Sequence, residues 1–149
     1  MKTVVILDSE INSTHPMEAV LERRGFAVVR AGTTADAINM LKPAAAPVDL
    51  VIVEAPLSGS ASQTEAAARI HRSFPEIPIL LVSDLSLDKW SEDDFLQFGQ
   101  LLSGRIDLLV KPLSQASFVA KANALIYTVS YEESKRLFES AAARRQALT

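Results

Sequence analysis

Five short runs of β-branched and aliphatic residues alternate with segments of helical spacing along this chain, and that alternation limits what it can fold into. The runs are Thr3 to Leu7, Phe26 to Arg30, Leu50 to Val53, Ile79 to Val82 and Ile106 to Val110. Runs that are apolar throughout, and not at every second position, suit parallel strands buried on both faces. Between them, Val20 and Leu21, then Ala37, Ile38 and Leu41, then Ala67, Ile70 and Phe74 supply apolar helix faces, and Phe118, Ala122, Leu125 and Val129 form a stripe on the last helix. Ser13 or Thr14, Thr33 or Thr34, and Ser114 stand where helix caps belong, while Gly25 and Pro43 stand where helices stop.

Five βα units with short connections predict a doubly wound α/β domain of the flavodoxin-like kind. Its five-stranded parallel sheet has the order 2-1-3-4-5, with helices on both faces. No repeat or linker interrupts the pattern, and Ala44-Ala45-Ala46-Pro47 reads as a helix-to-strand loop. We expect one unit over residues 1–129. Residues 130–149 extend the last helix, because neither proline nor glycine occurs from Ser114 to Thr149 and Glu132 and Arg136 are spaced to pair along it. Apolar Leu137, Phe138 and Ala141 lie beyond the last βα unit and read as a partner surface.

Several function classes are disfavoured. With 48% hydrophobic and 22% charged residues the chain reads as globular, and a net charge of -3 offers no footprint for nucleic acid. There is no cysteine, which removes disulfides, thiolate ligands and thiol nucleophiles and suits a reducing, cytoplasmic setting. No apolar stretch approaches the roughly 20 residues of a membrane helix, and no signal peptide is expected. The loop Asp8-Ser9-Glu10-Ile11-Asn12 after the first strand has no glycine, so neither a dinucleotide fingerprint nor a P-loop is present. No serine sits in a nucleophile elbow, and His15 and His71 are isolated. The chain does not read as an enzyme.

What remains is a set of polar residues at strand ends. VVIL is followed by Asp8, Ser9 and Glu10, DLVIV by Glu54, PILLV by Ser83, and DLLV by Lys111 and Pro112. A parallel sheet gathers those ends on one rim, where ligands of open α/β sheets bind.

Taken in this order, these residues resemble the active site of the receiver domain of two-component response regulators, over about residues 2 to 129. The resemblance implies that Asp8 and Ser9 stand at the acidic-pair positions, Glu54 at the phosphoacceptor position and Ser83 at the switch hydroxyl. It places Lys111 and a cis Pro112 over the rim, and Leu108 at the aromatic-switch position. It also implies a magnesium ion held by the acidic pair and the acceptor. Three positions depart from the family: Ser9 is not acidic, Glu54 is not aspartate, and Leu108 is not aromatic. Magnesium needs hard anionic oxygens, so no metal or other cofactor is expected, with Asp8, Glu10 and Glu54 as the residual candidates.

The first reading is a stand-alone, degenerate receiver acting through protein partners, with Glu54 a fixed negative charge paired with Lys111. The second is a working receiver phosphorylated at an unusual acceptor with magnesium. A small-molecule-binding α/β module is a third. The partner implied is a histidine kinase or output protein. The longer segment from Ser83 to Gly104, with Trp90, Phe95 and Phe98, joins the extended last helix in suggesting a homodimer.

Overall fold

The computed structural model describes residues 2–9, 16–42, 47–54, 62–102, 104–127 and 139–145. Its strands are β1 (Thr3–Leu7), β2 (Ala27–Ala31), β3 (Leu50–Glu54), β4 (Ile79–Ser83) and β5 (Ile106–Val110). They alternate with α1 (Pro16–Arg23), α2 (Thr34–Leu41), α3 (Gln63–Ser73), α4 (Glu92–Leu101) and α5 (Gln115–Tyr127). All pairings are parallel, and the order is β2-β1-β3-β4-β5. The second strand lies one residue later than its apolar run suggests, because Phe26 turns into the core while its amide still bonds the end of α1 at the Leu21 carbonyl.

The local signals act where chemistry places them. Gly25 has a φ of 87°, the left-handed conformation that lets the chain leave α1 and enter β2. Thr33 and not Thr34 caps α2, its hydroxyl accepting from the Asp36 amide, and Ser62 caps α3 through the Glu65 amide. Ser91 and Asp94 form a reciprocal capping box on α4, fixing where that helix begins within the long segment after β4. Ser114 accepts from the Ser117 amide at the start of α5.

The pleat sorts the core into two layers. Val4, Ile6, Leu50, Ile52, Leu80 and Val82 face α1 and α5, against Leu21, Phe118, Ala122 and Leu125. Val5, Leu7, Val51, Val53, Ile79 and Leu81 face α2, α3 and α4, against Leu41, Ala67, Ile70 and Leu101. Two-residue alternation within each strand decides the layer of every side chain, including the polar ones at the strand ends. Phe74 packs on the second layer but lies just past α3. Residues 139–145 are helical and exposed, so Ala141 is at the surface, whereas Val129, Leu137 and Phe138 lie outside the described residues. Among the described residues no helix is long and apolar enough to cross a membrane.

Candidate functional site at the sheet rim

Asp8 follows Leu7 at the end of β1, Glu54 closes β3, and Lys111 follows Val110 at the end of β5. By the period of two, Asp8 continues the Val4 and Ile6 side, Glu54 the Leu50 and Ile52 side, and Lys111 the Leu109 side. All three therefore stand on the α1 and α5 layer. Lys111 Nζ lies 3.0 Å from Glu54 Oε1, with side-chain exposures of 35% and 14%. The Lys111–Pro112 peptide is cis. Beside this ion pair a shallow cavity is lined by Pro16, Met17, Pro112 and Leu113, so an apolar wall borders the charged rim.

A second ion pair stands at the other end of the rim, and it was not legible in the sequence. Arg30, near the end of β2, pairs in register with Ile6 of β1, which brings it alongside the β1 terminus. Its Nη2 donates to Asp8 Oδ2 at 3.1 Å, and its Nη1 lies 3.7 Å from Glu18 Oε2 on α1. Arg30 and Asp8 side chains are only 12% and 13% exposed. A charged residue closing an edge strand ordinarily reads as solvated, and no local spacing in the sequence links it to Asp8.

Ser83 and Leu108 belong to the other layer. Ser83 continues the Ile79 and Leu81 side of β4, and Leu108 packs against the α2–α4 core. The Ser83 hydroxyl donates to the Leu85 carbonyl at 3.0 Å and accepts from the Leu85 amide at 3.1 Å, so it closes the turn after β4. The rim thus brings Asp8, Glu54 and Lys111 to one side of the sheet, while Ser83 is committed to its own loop. Ser9 is half-buried next to Asp8, and Glu10 lies outside the described residues.

Two further polar devices hold the rim in place. Gln63, first residue of α3, donates from Nε2 to the carbonyls of Val53 and Val82, at 2.7 Å each, bridging β3 and β4 beside Glu54. Buried Thr64 lies 2.7 Å from Gln97 Oε1 and 3.2 Å from Asp94 Oδ1, tying the start of α3 to α4. The first reaches across two strand ends and the second across two helices, 30 or more positions apart in the chain, beyond the reach of a sequence motif.

Among the described residues, Asp8, Ser9 and Glu54 are a poor fit to the magnesium ion implied by the resemblance, and the third residual candidate, Glu10, lies outside them. Asp8 is engaged by a guanidinium, its neighbour Ser9 carries no charge, and Glu54 is engaged by an ammonium. Among the described residues no group of three or more His, Asp or Glu side chains is placed to hold a metal.

No family model and no curated protein sequence matches the chain. Solved structures do. A two-component response regulator from Clostridium difficile is similar at 21% identity and a TM-score of 0.67, over 86% of this chain and 98% of that one. The signal receiver domain of a signal transduction histidine kinase from Syntrophus aciditrophicus is similar at 16% identity and a TM-score of 0.69, over 88% and 94%. The chemotaxis protein CheY4 of Vibrio cholerae is similar at 17% identity and a TM-score of 0.65, over 84% and 98%. At these identities the likeness is one of backbone architecture, and this chain has the fold of the CheY-like receiver domains of response regulators.

Proposed function

We propose that this chain is a receiver-type signalling module of a two-component system that works through protein–protein contact. In this reading Glu54 takes the position of the phosphoacceptor aspartate as a fixed negative group held by Lys111. The observation that carries the reading is the 3.0 Å contact between Glu54 on β3 and Lys111 after β5. A glutamate carboxylate stands one methylene further from the backbone than aspartate does, close to where an acyl phosphate would begin. It offers Lys111 one charge without modification. The same displacement opposes attack on a phosphodonor, because positioning carries most of phosphoryl transfer.

The receiver-like unit spans residues 1–129 in this proposal, and residues 130–149 extend it toward a partner. Exposed Phe95, Leu96 and Leu102 on and after α4 supply apolar surface for a second copy of the chain. Trp90 packs on Phe95 in a tilted arrangement and on Phe98 edge to face, with ring centroids 5.4 and 5.6 Å away. Light scattering of the wild type and Leu96→Glu tests the dimer: the wild type is expected to be dimeric and the variant monomeric.

Incubation with acetyl phosphate and magnesium, followed by intact mass spectrometry, tests the central reading. We expect no phosphoryl adduct. An adduct that disappears in Glu54→Gln would show Glu54 to be a working acceptor and would replace this reading by that of an active receiver.

A further inference from the structure

We propose that Arg30 is the resident cation of the acidic corner of the rim, doing with its guanidinium what a divalent ion would do there. The proposal deepens the receiver reading of this rim and rests on it for the expectation that a cation belongs in the corner.

Three observations carry it. The first is placement: the parallel register pairs Arg30 with Ile6, and the pleat sends its side chain to the layer that holds Asp8 and α1. The second is burial. At 12% exposure the Arg30 side chain is enclosed, whereas an arginine at an edge strand with no task would keep its head in water. The third is bridging. One guanidinium reaches two carboxylates, Asp8 at 3.1 Å after β1 and Glu18 at 3.7 Å on α1, which is the bridging that a divalent ion performs between acidic residues, done here with a single charge.

The substitution is physically consistent with the rest of the rim. A guanidinium stays protonated at every physiological pH and presents several donors in a fixed plane, so its charge is permanent and directional. Magnesium entering the corner would have to strip water, displace Arg30 from Asp8 and accept a hydroxyl from Ser9 in place of a carboxylate. Each step opposes it. The corner therefore draws its bridging cation from within the chain, with one guanidinium shared by Asp8 and Glu18.

The test is a titration of the full chain with manganese, followed by paramagnetic broadening of backbone amide resonances. The wild type is expected to show no selective broadening at Asp8 and Glu54 with millimolar manganese. Arg30→Gln is expected to gain it, with manganese affinity rising about tenfold or more as the carboxylates lose their counter-ion. Selective rim binding by the wild type, or no gain in Arg30→Gln, would overturn the proposal. Ser9→Asp leaves Arg30 untouched and guards against a variant that fails to fold. It is expected to remain without tight rim binding, and tight binding there would show that the missing carboxylate, not Arg30, keeps the metal out. Manganese binding without a phosphoryl adduct would overturn this inference alone, and an adduct on Glu54 would overturn the fixed-charge reading instead.

Discussion

On the β1–β2 side of the rim, Arg30 and Asp8 meet with 12% and 13% of their side chains exposed, and Glu18 closes over the guanidinium from α1. On the β3–β5 side, Lys111 meets Glu54 with 35% of its own side chain in contact with solvent. The two pairs have similar separations, 3.1 and 3.0 Å, so distance does not distinguish them. Depth does. Coulomb attraction and the cost of leaving a charge unpaired both grow as solvent is excluded. The enclosed pair is therefore structural, built into the packing of α1 on the sheet. The second pair is open on its lysine side only, since Glu54 itself is 14% exposed.

The largest effect expected to sharpen this contrast is the loss of Arg30. Arg30→Met should lower stability by about 2–3 kcal/mol in urea unfolding, since Asp8 is left enclosed without its counter-ion. A loss below that of the corresponding change at Lys111 would break the contrast. Gln63→Ala comes next, at about 1–2 kcal/mol, because two strand-end carbonyls lose their donor at once. Amide hydrogen exchange should accelerate around Glu54 and Ser83 and leave Asp8 unaffected; equal acceleration on both sides would show that the rim responds as one body.

Ser83→Ala should cost about 1 kcal/mol, by opening the turn to Leu85. If its hydroxyl instead serves the Glu54–Lys111 pair, the cost of Lys111→Met will change in the Ser83→Ala background. The smallest effect belongs to Lys111→Met itself, about 0.5–1 kcal/mol: Glu54 is nearly as enclosed as Asp8, but the lysine is 35% exposed, so water can take the place of its head group. Raising salt should shrink it further and leave the Arg30→Met loss nearly unchanged, because mobile ions screen the open pair and not the enclosed one.

The sequence by itself determined the layers and their punctuation. Apolar strand runs of four or five residues, helix faces at helical spacing, and caps at Thr33 and Ser114 are local properties, set by neighbours a few residues away. The parallel order brought Asp8, Glu54, Ser83 and Lys111 to one edge for the same reason: each closes or directly follows its own strand. What only the tertiary structure decided is which of them meet. The parity of the pleat put Ser83 on the opposite layer from Glu54, and its hydroxyl went to Leu85. The β1–β2 register carried Arg30 across 22 positions to Asp8. The packing of α3 against the sheet delivered Gln63 to two carbonyls, one of them 19 positions away. Contacts of that kind depend on where whole elements settle after burying their apolar faces, so the residues that make them carry no mark in the local sequence.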